Sequence, residues 1–280
     1  MPDPDKLLRT LRRAVDAFRA TPGRTGRVIA LTDVDEVLAS GDLHGHIGNF
    51  QAIMQKADLA NHPRRHVVFQ EVIHGPSRYA DGGDKSHQML DLVAALKSQF
   101  PRQVHFLPGN HEFGQLSGRA IQKGDDDLNE LFRRGVLTAY GTRADEVYTA
   151  YMDLIAAAPI MLRTPNRVAL THSLPSALKL NCFRLSDLER EGALEDLESN
   201  GSVHVLVWGR DTRPDHVRQF LEMIDADLLV TGHVPTDEGF AVPNDRQLIL
   251  DSLGTPAGYC LFPTTRPLTH AELLSHVGTL

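Results

Sequence analysis

The sequence predicts a layered fold of the α/β or α+β kind, and three observations carry that expectation. Short runs rich in β-branched residues alternate with stretches of helical periodicity, polar residues gather where those runs end, and no Pro/Gly/Ser linker or internal repeat divides the chain. The 280 residues are 41% hydrophobic and 23% charged, ordinary globular values that exclude wholesale disorder and collagen-like repeats. One domain spanning residues 1–280 is expected.

Taken in order, Leu7, Leu8, Leu11, Val15 and Phe18 recur at helical spacing and predict an amphipathic helix over about 5–20, ended by Pro22-Gly23. Strands are predicted at 27–31, 36–39, 66–69 and 103–107, with helices at 47–56 and 86–99 between them. Residues 114–158 turn polar and helical, with helices expected at 128–137 and 145–158. This stretch is read as an insertion over one edge of the site, and its triplet Asp125-Asp126-Asp127 as a solvated helix start. Strands then return at 167–171, 203–207, 228–231, 247–251 and 258–262.

The balance of 29 Lys+Arg against 36 Asp+Glu gives a net charge of −7, with a pI near 6.0. That argues against broad electrostatic capture of nucleic acid or anionic lipid. Cys182 and Cys260 form no Cys-x-x-Cys pair, so neither a disulfide framework nor a thiolate zinc site is expected; both read as small core residues. No run approaches the length of a membrane span and no apolar targeting segment is visible, so the expected location is cytoplasmic.

Chemistry-bearing residues recur after strands. Ser40-Gly41-Asp42-Leu43-His44-Gly45 places Asp42 and His44 on the same side of an extended chain, within reach of one ion. Leu107-Pro108-Gly109-Asn110-His111-Glu112 follows a second strand, Leu170-Thr171-His172-Ser173 a third and Val230-Thr231-Gly232-His233 a fourth. A donor set of oxygen and nitrogen without sulfur suits a hard or borderline divalent ion such as Mn, Fe, Zn or Mg. His46 reads as a helix-start residue. His62, His66, His105, His204, His216, His270 and His276 read as surface or packing residues.

The series Gly41-Asp42-Leu43-His44-Gly45, Gly109-Asn110-His111-Glu112, His172 and Gly232-His233 resembles the calcineurin-like metallophosphoesterase superfamily. The stretch from Ser86-His87-Gln88-Met89-Leu90 to Glu112, and the single histidine of Gly232-His233-Val234-Pro235, are most similar to its phosphoprotein (serine/threonine) phosphatase branch. The resemblance implies an α+β fold, a four-layer β-sandwich flanked by helices, with a site for two divalent metals at the strand ends. It implies Asp42 and His44 on one metal, Asn110, His172 and His233 on the other, and His111 as general acid.

The chain departs from the pattern Gly-Asp-x-x-Asp-Arg-Gly at Gln70-Glu71-Val72-Ile73-His74-Gly75-Pro76. Glu71 falls where a carboxylate bridging both metals is expected, with Asp81 or Asp84 as alternatives in another register. The Arg of the pattern is absent in register, leaving Arg78 and Arg210 as candidates to grip phosphate; for Trp208-Gly209-Arg210-Asp211 a surface Arg–Asp pair stands as the alternative. Asp81 or His74 is expected to orient His111. The implied function is a metal-dependent phosphomonoesterase acting on a phosphorylated small molecule or protein. The alternatives are a phosphodiester or dinucleoside polyphosphate hydrolase, and a catalytically weak binding or scaffold protein.

Overall fold

The computed structural model describes residues 3–190 and 197–280. Helix α1 (Pro4–Arg19) begins where the Asp3 carboxylate accepts from the amides of Asp5 and Lys6, with Pro4 in the first turn. It buries Leu8, Leu11, Val15 and Phe18 of the predicted stripe, together with Ala14, and leaves Leu7 half-buried. There follow β1 (Arg24–Thr25), β2 (Val28–Ala30), β3 (Glu36–Asp42), α2 (Ile47–Ala57), β4 (Arg65–Gln70), α3 (His87–Gln99), β5 (Val104–Leu107) and α4 (Asn110–Ser117). The 114–158 region holds a small hairpin, β6 (Gln122–Lys123) and β7 (Asp126–Asp127), as well as the two expected helices, α5 (Leu128–Tyr140) and α6 (Ala144–Ala157). Asp127 caps α5 by accepting from the amides of Asn129 and Glu130, so the acidic triplet is a helix start.

The second half contains β8 (Met161–Arg163), β9 (Val168–Thr171), α7 (Leu185–Leu188), α8 (Ser202–Trp208), α9 (Pro214–Met223), β10 (Leu228–Thr231), β11 (Phe240–Ala241), β12 (Gln247–Leu250), β13 (Gly258–Pro263), α10 (His270–Leu274) and β14 (Val277–Thr279). One expectation fails here. Residues 203–207 are helical, not extended. An apolar run this short has no period that separates a buried strand from a buried helix, and this one packs Val203, Val205, Leu206 and Val207 against the outer side of a sheet.

Among the described residues two sheets stand face to face. One runs β1-β2-β8-β9-β10-β12-β11 and the other β14-β13-β3-β4-β5. Ile29, Val37, Ala39, Val68, Leu107, Leu170, Val230, Leu248 and Phe262 form the core shared by the two sheets. A second core gathers residues of α1, α2, α3, α5 and α6 with Leu38, Val67 and Phe69 of β3 and β4, and a third gathers residues of α8 and α9 with Ala169 and Leu229 of β9 and β10. The result is a four-layer α/β/β/α arrangement. Strands β3, β4 and β5 are mutually parallel, as are β9, β10 and β12, so their carboxyl ends open toward one place.

Several histidines outside that place are buried. His66 Nδ1 lies 2.9 Å from His105 Nε2, and His87 meets the hydroxyl of Tyr79 at 3.0 Å. Burial holds both His66 and His87 at about 4. The unfolded chain therefore takes up protons as pH falls through the ordinary histidine range near 6.5, while the folded chain waits until about 4. Stability from these groups is full above pH 6.5 and drains as pH falls toward 4, by about 2 kcal/mol per histidine between pH 6.5 and 5. Urea unfolding at pH 7 and pH 5 checks this; a midpoint that does not move contradicts it.

Candidate metal and phosphate site

Each strand end delivers its residue for a local reason. At the end of β3 the register against β4 shifts between Ala39 and Asp42, and the chain turns at His44 with φ +38°. Glu71 follows β4 with φ +29°, His74 has φ +61° and His233, after β10, has φ +68°. Side chains seldom adopt this left-handed region, and among the described residues four of the seven non-glycine residues found there belong to this one cleft. Two glycines make the approach possible. A Cβ at position 109 would lie 1.7 Å from Glu71 Oε2, and one at position 232 would lie 2.2 Å from Asp42 Oδ1.

The buried Glu112 holds the loop that carries Glu71. Its Oε1 accepts from the amides of Val72 and Ile73 at 2.7 and 3.0 Å, and its Oε2 accepts from the Gly109 amide at 2.9 Å. The cleft measures about 350 Å³, and its lining includes Asp42, His44, Glu71, Asn110, His111 and His233.

Glu71 stands at the centre. Its Oε1 is 3.2 Å from His44 Nε2, and its Oε2 is 3.2 Å from His172 Nε2. His172 Nε2 is also 3.2 Å from Asn110 Oδ1 and 3.1 Å from His233 Nδ1. Ligand atoms about 2.0–2.2 Å from one ion stand roughly 3.0–3.4 Å from each other, so this is the spacing of atoms that share a cation. His44 makes the same point through its protons. Its Nδ1 lies 2.8 Å from the Ile73 carbonyl, which only accepts, so Nδ1 carries the hydrogen and a lone pair on Nε2 faces a carboxylate oxygen. Among the described residues, Asp42 Oδ1 and His172 Nδ1 are buried without a hydrogen-bond partner.

Among the described residues two groups of side chains could hold an ion, His44 with Glu71 and His111, and Asp42 with Glu71 and His172. Glu71 belongs to both. The residues present thus fit divalent metal.

The charges agree with that fit. Burial first, then the neighbouring Asp42 and Glu112, raise Glu71 well above the usual carboxylate range, and burial does the same to Asp42. The histidines shift the other way. Burial, with Arg210 nearby, holds His233 at about 3, and burial with His44 and His74 nearby holds His111 at about 2. Buried carboxylates facing neutral imidazoles are an arrangement that a cation stabilises.

The structure brings His74 to His111, with the two Nδ1 atoms 3.0 Å apart. It does not bring Asp81, which is exposed and held by the Thr138 hydroxyl and the Gly83 amide, outside the cleft lining. This corrects the expectation that Asp81 serves as an alternative partner for His111: the loop Ser77–Asp84 turns it toward α5. Asp84 is likewise no ligand, since it accepts from Ser86 and pairs with Arg78 at 3.2 Å.

Arg78 lines the cleft, but its Nη1 is engaged by Asp84 and the Gly75 carbonyl. Arg210 Nε stands 3.1 Å from His233 Nε2. Asp211 pairs with Arg213 at 2.7 Å rather than with Arg210, so the sequence alternative of an Arg210–Asp211 pair does not form. The segment that carries Arg210 follows helix α8 rather than a strand. His46 caps α2, its Nδ1 accepting from the Asn49 amide.

Sequence reasoning missed two cleft residues, Asp251 and Lys123, and the buried Gln115 behind them. Asp251 follows β12 and forms a bridge with Asp42, and the strand-end rule that singled out the others also applies to it. Lys123 reaches the cleft from the β6–β7 hairpin, for which the sequence carried no signal. Gln115 stands one helical turn after His111 on α4 and meets His74.

The family model described as calcineurin-like phosphoesterase matches residues 36–237. A probable serine/threonine-protein phosphatase of Encephalitozoon cuniculi is 28% identical over 229 residues, 76% of this chain and 46% of that protein. A PP2A-like serine/threonine-protein phosphatase of Candida albicans is 24% identical over 73% of this chain and 44% of its own length. The chain spans about half the length of these curated relatives. Among solved structures, a serine/threonine phosphatase from Saccharomyces cerevisiae superposes with a TM-score of 0.69 at 16% identity, covering 93% of this chain and 82% of that one. A cold-active protein-tyrosine phosphatase from Shewanella gives 0.59 at 16% identity over 94% and 84%. These two likenesses concern the fold. Together with the strand-end cleft and its shared carboxylate, the match over residues 36–237 places this chain in the calcineurin-like phosphoesterase family.

Proposed function

We propose that the chain is a phosphomonoesterase that works with two divalent metal ions, Glu71 being the carboxylate that would serve both. The observation that carries this reading is the placement of Glu71, whose two oxygens face different histidines, His44 and His172, each at 3.2 Å. By the family resemblance Asp42 and His44 would hold one ion and Asn110, His172 and His233 the other, a division that the close groups of His44 with His111 and of Asp42 with His172 cross. When bound, such a pair would activate water and offset the charge of phosphoryl oxygens. The serine/threonine phosphatases among the relatives support a phosphorylated substrate of the same kind.

The chain's own residues supply the rest. Arg210 lines the cleft, and among the described residues no carboxylate pairs with it. Its free guanidinium edge is placed to grip phosphate oxygens in a fork. Lys123 adds a second cation on the hairpin side. His111 turns Nε2 toward Glu71 Oε1 at 3.8 Å, the side where a leaving oxygen would sit, and would give it a proton as the P–O bond breaks.

The test is hydrolysis of p-nitrophenyl phosphate beside bis-(p-nitrophenyl) phosphate, with Mn added and with chelator. Metal-dependent turnover of the monoester is expected. His111→Ala should lower kcat for phenyl phosphate by about 10²–10⁴ with metal content unchanged. Turnover of the diester alone would move the reading to a diesterase or dinucleotide hydrolase. Silence on both with two metals bound would leave a phospho-ligand binding protein.

A further inference from the structure

We propose that Gln115 is a positioning residue: acting through His74, it fixes which ring nitrogen of His111 carries the proton and keeps His111 Nε2 free toward the cleft. The inference rests on the general-acid role proposed for His111, and it follows from counting donors along one chain of contacts.

One group along this chain of contacts has a fixed role. The main-chain carbonyl of Asn129 only accepts, and Gln115 Nε2 faces it at 3.5 Å while donating to the Tyr148 hydroxyl at 2.8 Å. Turning the amide over would set its oxygen against that carbonyl. Gln115 Oε1 is therefore the atom that meets His74 Nε2 at 2.9 Å, and it can only accept. Neutral His74 then carries its hydrogen on Nε2 and presents a lone pair at Nδ1. The atom facing that lone pair, at 3.0 Å, is His111 Nδ1, which must donate. The hydrogen of neutral His111 is thus on Nδ1, and Nε2 is the atom left to take up a proton and pass it on. When it does, the proton goes from Nε2 to the leaving oxygen as the P–O bond breaks. His111 returns to the same Nδ1–H form with its bond to His74 intact.

Why a glutamine is needed follows from the choice of partner. A carboxylate beside His111 has no hydrogen and accepts in any orientation. An imidazole has one lone pair and one hydrogen, and presents the lone pair only if something holds the hydrogen elsewhere. Gln115 is that holder. It is buried, 4% exposed, as is His74 at 6%, so water does not compete for the contact. His111 and Gln115 lie one turn apart on α4, so a single helix face sets both ends of the relay.

The experiment compares kcat for phenyl phosphate, whose leaving oxygen needs a proton, with kcat for p-nitrophenyl phosphate, whose leaving oxygen needs little help. Gln115→Leu is expected to lower the first about tenfold more than the second, a part of the 10²–10⁴ that general acid catalysis supplies. Gln115→Glu, which still accepts from His74, is expected to keep the ratio within about threefold of wild type. Equal losses on both esters with Gln115→Leu would overturn the proposal, because a purely structural role affects both alike.

A second readout is independent of turnover. Ring ¹⁵N NMR of the zinc-loaded full chain should show His74 as the Nε2–H form and His111 as the Nδ1–H form, with Gln115→Leu shifting both. His74 found as Nδ1–H in the wild type overturns the relay. A wild type that cleaves neither ester would defeat the proposed function, while the spectrum would still decide the proton positions.

Discussion

Glu71→Ala is expected to cut bound divalent metal from two ions per chain to one or none, and to lower phosphomonoester turnover by about 10³ or more. The carboxylate is 1% exposed and its oxygens stand 3.2 Å from His44 Nε2 on one side and His172 Nε2 on the other. Removing it leaves two sets of lone pairs with no shared anion. Glu71→Asp tests the reach. The carboxylate withdraws by one methylene while the backbone, pinned by the Leu43 and His44 amides on the Glu71 carbonyl, stays in place. Asp is expected to keep one metal and weaken the other. Elemental analysis after dialysis, beside kcat on the same preparation, measures both; two tightly held ions in Glu71→Ala would show that another residue bridges.

Gly109→Ala should be nearly as damaging, although it removes no functional group. The added methyl would sit 1.7 Å from Glu71 Oε2 and 2.6 Å from the His172 ring. The backbone cannot easily give way, because the Gly109 amide is bonded to Glu112, which also holds Val72 and Ile73. The side chain of Glu71 has to move instead. The expected result is a loss of turnover of at least about 10², with folding stability reduced by about 1–3 kcal/mol, the usual range for overpacking. Metal content and urea unfolding separate the two effects. A variant with wild-type turnover and two metals would mean that Glu71 sits elsewhere when metal is bound.

Much of this site was legible because the residues that carry it share one local rule. Each follows an apolar strand, and parallel strands in the same sheet end on the same side. Asp42, His44, Asn110, His172 and His233 could therefore be picked out segment by segment, and Glu71 could be placed by register. His74 against Asp81 was not legible. Both lie in the irregular stretch between β4 and α3, where no period fixes direction, and the choice is made by contacts with α4 and α5. Gln115 was visible only in hindsight as a polar residue one turn after His111, because helical spacing names a neighbour but not what the neighbour faces. Residues 203–207 misled because their burial is decided by the sheet beneath them rather than by their own pattern.

By itself, then, the sequence determined the alternation of strands and helices, the strand ends that carry ligands and the absence of sulfur from the donor set, all properties readable within a few consecutive residues. Only the tertiary structure decided that Glu71 lies between His44 and His172, that Arg78 is tied through Nη1 to Asp84 while Arg210 pairs with no carboxylate among the described residues, and that Gln115 meets His74. These are relations between residues tens of positions apart. They depend on packing distances of 3 Å that no local periodicity encodes, and on which of several competing partners the fold brings close enough to bond.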